Sequence, residues 1–387
     1  TGTSPLPIYL AYINGTTYNP NNQASYSSSL FVNSTLTSAL SRNNPQVIGF
    51  SSLIENSATR RANAIANGLP SNLAFVNPAV PNNSYIVDNS TKTWYDAGVI
   101  EVRRRLSEGL RVQANYVWSK ALSNAYQSSS VVFANFPTLR EGKRDLAKNV
   151  QAFDLRQNFK LEATYDLPFG KGKTFFSGTN GIVNSLVGGF SILPVIRWQS
   201  GSPFSLGNVT LVGITAKELQ KEIKVRKDSV INGVNVVTYL PVDIIQNSQR
   251  AFDININNAN GYGTNFGAGG PTGRFIAPAG FGNCQSSFNG ECGFTNLILY
   301  GPGFFKFDVT ATKKFNLGEK RNIELRASAF DALNHPNFRV GGWNADVVGV
   351  SAASSTFGQL PNGTAYQDLG SQDPGGRIFD FQIRFNF

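Results

Sequence analysis

The end of the chain alternates strictly between apolar and polar side chains over residues 377–387. Successive side chains of a β-strand point to opposite faces, so this pattern predicts a strand with one apolar and one polar face. A strand rises roughly 3.3 Å per residue, and the segment is therefore long enough to cross a bilayer at a tilt of about 45°. It ends on an aromatic residue, Phe387.

The same alternation recurs upstream and predicts a series of such strands. The repeats cover residues 94–106, 110–118, 159–167, 190–198, 305–315 and 323–329, and the polar face of 190–198 is the least regular. Short polar turns at 107–109 and 317–320 predict two β-hairpins, and the segments on either side of 168–189 form a third pair.

The alternation sorts the strand side chains into two sets. The apolar set, which we expect to face lipid, includes Leu110, Val112, Phe159, Leu161, Phe307, Val309, Leu325, Phe379, Phe381, Ile383 and Phe385. The polar set, which we expect to face a lumen, includes Arg111, Gln113, Lys160, Glu162, Asp308, Glu324, Arg326 and Arg384.

A soluble β-sandwich also alternates apolar and polar positions, so strand length and the connections decide between the two. Soluble strands usually have about five or six residues, and several of these segments are much longer. The connections after residues 118, 198 and 333 run to tens of residues, whereas those after 106, 167 and 315 are shorter. Outer-membrane barrels show this division between long external loops and short periplasmic turns. We therefore predict an all-β fold, an antiparallel transmembrane β-barrel in the bacterial outer membrane, with Phe387 as a membrane insertion signal.

The moderate hydrophobicity of the chain agrees with strands that expose only every second residue to lipid. No apolar run in the sequence is long enough to form a transmembrane helix. The mean hydropathy of −0.17 resembles that of a soluble protein, as expected for a barrel with polar loops. Aromatic residues near the predicted strand ends suit the headgroup boundary; they are Trp94, Trp118, Trp198, Tyr116 and Tyr165.

The net charge of +10 raises the question of anionic partners. The densest basic clusters, 103–105 and 313–314, lie at predicted strand ends and are divided between the two faces by the alternation. Nucleic-acid binding requires basic residues gathered on one face, so we expect no nucleic-acid partner. Solvated strand ends and contact with anionic lipid headgroups both remain open.

The two cysteines, Cys284 and Cys292, lie close together in a glycine-rich segment. No histidine or third cysteine lies nearby to complete a zinc site. We predict a disulfide that closes a small loop in an oxidising compartment, and a pair of free thiols is the alternative.

The sequence contains no motif that predicts catalysis or a cofactor. His335 is the only histidine, so the sequence offers too few histidines for a multi-histidine metal site and only one for a histidine-dependent catalytic triad. The segment 170–174 lacks the first glycine of a phosphate-binding loop, and 253–264 lacks the glycine and the closing glutamate of a calcium loop. We expect no enzyme activity, no cofactor and no catalytic or metal-binding residues, and calcium binding by the loops is left open.

Several stretches then occur in an ordered series along the chain. They are residues 95–110, WSKAL at 118–122, YDLPFGKGK at 165–173, SGSPF at 200–204, GPGFFKFDVTATKKF at 301–315 and FDALNHPNF at 330–338. Together they resemble the C-terminal barrel of TonB-dependent outer-membrane receptors, and within that family the Oar-like branch. The resemblance implies a barrel of about 22 strands, an N-terminal plug, a TonB box, and a small β domain before the plug.

The sequence shows none of those N-terminal parts. We count seven clear strands, and eight or nine with runs near 8–13 and 84–87. Methionine is absent and the chain starts at Thr1, so we expect a C-terminal piece of a larger receptor. Residues 1–93 are interpreted mainly as extracellular loop with a short helix near 56–68. Residues 94–387 are interpreted as barrel strands with long loops at about 205–300 and 334–376, and with a helix at 215–223.

The expected function is ligand binding and energy-coupled uptake across the outer membrane. The expected partners are the remaining N-terminal barrel and plug, the TonB complex through the missing N-terminus, outer-membrane lipid, and an unidentified small ligand, glycan or peptide. The polar face would hold the plug and line the transit route, while the loops 121–154, 205–300 and 334–376 would catch ligand. Two alternatives remain open: a passive porin-like channel, and a structural or adhesion protein of the cell surface.

Overall fold

The computed structural model describes residues 57–68, 70–71, 92–107, 109–124, 148–255, 258–279, 296–317, 321–338, 340, 351–360 and 376–387. The strands are β1 Thr93–Ser107, β2 Leu110–Ser123, β3 Asn149–Val150, β4 Gln157–Asp166, β5 Phe190–Gln199, β6 Pro203–Ser205, β7 Val209–Val212, β8 Arg226–Ile231, β9 Val234–Thr238, β10 Phe275–Pro278, β11 Ile298–Tyr300, β12 Phe304–Asn316, β13 Asn322–Phe330 and β14 Ile378–Asn386. The helices are α1 Ala58–Ala66, α2 Gly181–Val187, α3 Ala216–Glu222 and α4 Val242–Phe252.

The seven strands predicted from alternation form one antiparallel sheet in the order β1-β2-β4-β5-β12-β13-β14. The short strand β3 pairs beside the end of β2. The all-β prediction is therefore confirmed, and several of the strands have the length that favoured membrane-spanning strands over a soluble sandwich. Among the described residues, β1 and β14 each pair on one side only, so the sheet is open at both edges.

The pairing register places the two predicted sets of side chains on opposite faces of this sheet. Directly opposed residues of antiparallel strands share a face, and Leu325 lies opposite Ile383. Lys160 lies opposite Arg197. From β2 to β14, the pairings place the apolar set on one face of the sheet and the polar set on the other. We call these the apolar face and the polar face.

The shorter connections between neighbouring long strands lie at one end of the sheet, which we call the short-turn end. It holds the turn at 107–109, the connection 167–189 and the turn between β12 and β13. The backbone N–H of Asp166 donates to the carbonyl of Gly109 there, at 2.8 Å. Phe387 follows β14 at the same end, since Asn386 pairs with Asn322.

The long connections at the other end fold into a body with its own core. We call this body the cap, and it comprises the described parts of 203–300 and 338–360. Its sheets are three antiparallel pairs, β6 with β11, β7 with β10 and β8 with β9. The core residues of the cap are Phe204, Leu219, Ile223, Ile231, Tyr239, Leu240, Ile244, Ile245, Ile276, Leu299, Phe338, Val340, Ala352, Phe357 and Leu360. The sequence interpretation of 205–300 as an extended loop did not anticipate this core.

Local sequence explains several cap elements. Thr215 caps α3 by accepting from the N–H of Glu218, whose side chain accepts in return from the N–H of Thr215. Asn232 and Gly233 connect β8 to β9 and both have positive φ, of 51° and 79°, which is the conformation of a tight hairpin turn. The predicted helices near 215–223 and 56–68 are confirmed, and Ser57 caps the latter.

Two glycines, one from the stretch 200–204 and one from the stretch 301–315, meet where the sheet joins the cap. A Cβ placed on Gly201 would lie 1.8 Å from the carbonyl oxygen of Gly301. The two chain segments therefore pass so closely that only glycine fits at residue 201. This contact fixes the start of the cap relative to β5 and β12.

The remaining sequence interpretations fall largely outside the described residues. These include the runs near 8–13 and 84–87, the two cysteines, and most of 125–147 and 341–375. Within the described residues, no helix has the length and apolar character needed to span a bilayer.

Candidate functional site

The polar face carries charged side chains that neutralise one another along and between strands. Glu324 forms an ion pair with Lys314 at 3.7 Å and accepts from Arg326 at 3.4 Å. Lys306 and Asp308 pair at 3.5 Å within β12. These pairs create a hydrophilic surface that suits water or a polar protein domain and does not suit hydrocarbon.

Uncharged polar groups extend this surface between the ion pairs. Thr310 donates to Ser328 across β12 and β13 at 3.0 Å. Ser191 donates to the carboxylate of Asp166 at 2.5 Å. Among the described residues, the buried Nε of Arg326 has no hydrogen-bond acceptor.

The apolar face is open to solvent in the isolated chain. The side chain of Phe381 is 76% exposed, and its neighbours Phe379 and Ile383 are exposed as well. An apolar surface of this size marks contact with lipid or with another protein. Trp118 and Trp198 lie near the cap end of the sheet and Tyr165 near the short-turn end, where aromatic side chains suit membrane boundaries.

A partly buried polar cluster, which we call the latch, joins the cap to the rim of the sheet. The hydroxyl of Tyr300 donates to the Asp154 carboxylate at 2.7 Å. The Arg156 guanidinium donates to the Tyr300 oxygen at 2.8 Å and pairs with Asp154 at 2.7 Å. Asp154 also accepts from the backbone N–H of Ala121 in β2, at 2.6 Å. The latch therefore connects β2, the segment before β4 and β11.

The latch continues into helix α3 and changes the acidity of its tyrosine. The side-chain amide of Gln220 donates to the Tyr300 carbonyl at 2.9 Å and accepts from the Tyr300 N–H at 2.8 Å. Burial, together with the hydrogen bond to Asp154, raises the pKa of Tyr300 to about 12. The hydroxyl therefore stays protonated to a higher pH than that of an ordinary tyrosine and remains a donor to Asp154.

The outer surface of the cap carries a second charged cluster. Arg274 donates to Asp243 at 2.8 Å and to Glu222 at 2.7 Å, and Glu222 also pairs with Arg226 at 3.0 Å. The hydrogen bond from Arg274 holds the pKa of Asp243 below its ordinary value. These pairs tie α3, α4 and β10 together at their ends.

The structure shows no metal centre among the residues it describes, since no group of three or more potential ligands converges there. In the segment that resembled a calcium loop, the Asp253 carboxylate accepts from the backbone and side-chain N–H groups of Asn265, both at 2.8 Å. Phe387 is exposed at the end of the chain. Cys284 and Cys292 lie outside the described residues, so their disulfide stays a prediction.

Sequence reasoning missed the latch and predicted the division of the two neighbouring lysines. Asp154 and Tyr300 are 146 residues apart, and no local pattern connects them. Lys313 falls on the apolar face because it lies opposite Leu325 and Phe190, whereas Lys314 lies on the polar face. The strict period-2 alternation gave the signal for this division, and the expected split of the 313–314 pair is confirmed.

A sheet of long antiparallel strands, with one apolar face, one charged face, tight turns at one end and large connections at the other, defines a membrane β-barrel protein. The family model for the outer membrane beta barrel domain matches residues 13–377. The chain therefore belongs to this family, and its location is the outer membrane. No curated protein and no solved structure matches the chain.

Proposed function

We propose that the chain belongs to a TonB-dependent receptor that binds a ligand and takes it up across the outer membrane. The observation that carries the proposal is the polar face, on which ion pairs and hydrogen bonds extend across neighbouring strands. A barrel of many strands encloses a lumen, and a lumen wall of this kind can hold a polar plug by hydrogen bonds and ion pairs. The ordered series of motifs that resembles TonB-dependent receptors supports the same reading.

The open edges of the sheet support further strands in the complete barrel. An unpaired edge within hydrocarbon leaves backbone N–H and C=O groups unsatisfied, at several kcal/mol each. In the proposed receptor, β1 and β14 pair with the remaining N-terminal barrel strands, and the plug sits against the polar face. The TonB complex would act through a segment N-terminal to the plug.

The cap supports a role in ligand capture on the cell surface. Binding residues concentrate on connections that a rigid scaffold positions, and the latch holds this connection against the sheet through Asp154 and Tyr300. The cap and the neighbouring loops would bind the ligand first, and the polar face would line its route. A small molecule, a glycan and a peptide all fit this description.

Growth on limiting nutrients tests the proposal. Strains that lack the gene, lack TonB or lack both are compared with the parent strain on a panel of scarce iron, cobalamin, glycan and peptide sources. We expect at least one source on which the two single deletions grow equally poorly and the double deletion is no worse. If deletion of the gene impairs growth but deletion of TonB does not, the proposal is contradicted and a passive channel is favoured.

Liposome swelling distinguishes the passive channel directly. Vesicles that contain the intact gene product are transferred into isotonic solutions of small sugars. A plugged receptor is expected to admit sugar no faster than empty vesicles, whereas rapid swelling would indicate an open pore. Adhesion without any growth phenotype or swelling would indicate the surface structural role.

A further inference from the structure

The connection between β4 and β5, residues 167–189, is a folded unit at the short-turn end of the sheet. The backbone N–H of Phe175 donates to the carbonyl of Pro168, and the N–H of Gly170 donates to the carbonyl of Phe175, both at 2.9 Å. The side chain of Asn184 in α2 accepts from the N–H of Lys171 at 2.6 Å. The loop and the helix therefore hold each other in place.

Helix α2 turns an apolar side away from the protein. Ile182 and Leu186 lie on one side of the helix, because residues four apart are neighbours on a helix surface, and they are 77% and 67% exposed. Phe175 and Phe176 in the preceding loop are exposed as well. Large apolar side chains grouped in this way are unfavourable in water at about 25 cal/mol per Å² of apolar area.

Lys313 connects this helix to the apolar face of the sheet. Its ammonium donates to the carbonyl of Leu186 at 3.2 Å and to the carbonyl of Gly188. It also lies over the rings of Phe190 and Phe315, at 4.3 Å and 5.0 Å from their centroids. The carbonyls at the C-terminus of a helix carry partial negative charge and favour a cation there.

The face of the sheet on which Lys313 lies determines the surroundings of helix α2. Lys313 lies on the apolar face, so the C-terminus of α2 is held on the side of the sheet that carries Phe315 and Leu325. The apolar residues of α2 thus continue the apolar face at its short-turn end. In an outer-membrane barrel this face contacts hydrocarbon, and its end lies at the headgroup boundary.

We propose that the connection 167–189 is an interfacial anchor that inserts into the surface of the phospholipid bilayer beside the barrel. Ile182, Leu186, Phe175 and Phe176 enter the boundary between headgroups and acyl chains, at the depth of about 5–10 Å typical of amphipathic helices. Lys171 and Lys173 are exposed in the same loop and meet the phosphates of anionic headgroups. Short turns of such barrels lie on the periplasmic side, so the leaflet is the inner one.

Spin labels on adjacent helix residues test the anchor. A nitroxide is attached to Leu186→Cys, and the control is Ser185→Cys, an exposed neighbour rotated by about 100° around the helix axis. The full chain is reconstituted into vesicles of phosphatidylethanolamine and phosphatidylglycerol, and wild-type chain taken through the same labelling is the blank. Only protein with the heat-dependent electrophoretic mobility of a folded barrel is measured.

The accessibility of each label to oxygen and to a water-soluble nickel chelate gives the result. Oxygen concentrates in the bilayer and the chelate stays in water, so we expect the oxygen-to-chelate ratio to be several-fold higher at residue 186 than at 185. Equal access of the chelate to both positions would show a helix in water and overturn the proposal. Protection of residue 186 from both reagents would show a protein partner or a second copy of the chain on this surface, and would overturn it as well. Neither measurement depends on uptake, so the anchor and the proposed transport function can fail separately.

Discussion

The latch depends on single polar atoms whose removal is expected to loosen the cap. Tyr300→Phe removes the hydroxyl that donates to Asp154 and accepts from Arg156. Leaving these groups without that partner in a buried site costs about 1–3 kcal/mol. Hydrogen exchange of the cap peptides should therefore accelerate, while that of the central strands stays unchanged. Tyr262→Phe is the matched control, because its hydroxyl makes no hydrogen bond among the described residues; an equal effect of both variants would argue against the latch.

The raised pKa of Tyr300 predicts a pH dependence with a definite sign. Its folded pKa of about 12 exceeds the ordinary value of 10.0, so the stabilisation is fully present below the ordinary value. It is lost as the pH rises from that value through the folded pKa. As the pH rises from 10.0 to about 12, the cap of the wild-type chain should lose its resistance to an alkaline protease. The loss should be larger than in Tyr300→Phe over the same range. Parallel curves for the two proteins would mean that Tyr300 does not carry the dependence.

At the scale of elements, the side chain of Lys313 is expected to fasten α2 to strand β12. Lys313→Met keeps an apolar stem but removes the donor to the carbonyls of Leu186 and Gly188. A spin label at residue 186 should then become more mobile, because the helix is no longer fastened to β12. Lys314→Met changes the next residue, which points to the other face and pairs with Glu324, and should leave that mobility unchanged. Loss of order in both variants would indicate general damage to the strand.

The β8–β9 hairpin of the cap is expected to depend on one glycine. Gly233 has φ of 79° and nothing lies within 4 Å of a Cβ built there, so Gly233→Ala costs backbone strain without a clash. A loss of about 1 kcal/mol in the stability of the hairpin is expected, measured by hydrogen exchange of 226–238. Asn235→Ala, at an exposed strand position of the same hairpin, is the control and should change exchange little.

The sequence predicted the strands well because their signal is local and regular. Alternation with a period of two identified all seven long strands of the sheet, and the short turns at 107–109 and 317–320 indicated two of its hairpins. The cap was missed although one strong signal was present, since Asn232-Gly233 between apolar runs favours a hairpin. Its core could not be derived from pattern alone, because Phe204 and Phe357, which are 153 residues apart, meet Ile244 only through packing. The latch and the contact of Lys313 with α2 are equally remote along the chain.

At the scale of the whole molecule, the cap has a separate apolar core and is expected to unfold separately from the sheet. Ile244 is fully buried in α4, with 0% exposure, and Ile244→Ala should destabilise the cap by about 2–5 kcal/mol. The strands should keep the heat-dependent mobility of a folded barrel. Ile254→Ala removes the same atoms from a side chain that is 49% exposed and should cost far less. Simultaneous loss of cap and barrel in Ile244→Ala would show one cooperative unit.

The apolar and polar faces of the sheet determine what this protein contacts. Apolar side chains on the apolar face are half-buried in the central strands and exposed in β14, and several charged side chains on the polar face form ion pairs. A bilayer and an aqueous or protein-filled lumen are therefore the expected surroundings of the two faces. A soluble body would instead cover the apolar face with protein. Direct evidence about which side chains touch acyl chains therefore bears on the barrel, the anchor and the transport proposal together.

Photolabelling from within the bilayer gives that evidence without any substitution. The full chain is reconstituted in vesicles that contain a phospholipid with a diazirine on its acyl chain, irradiated, and mapped by mass spectrometry. Adducts are expected at alternate residues of β12, β13 and β14, with Phe307, Leu325, Phe381 and Ile383 labelled and Asp308, Glu324, Gln382 and Arg384 unlabelled. Labelling of the second group, or none on either group, would contradict a sheet that faces lipid on its apolar side.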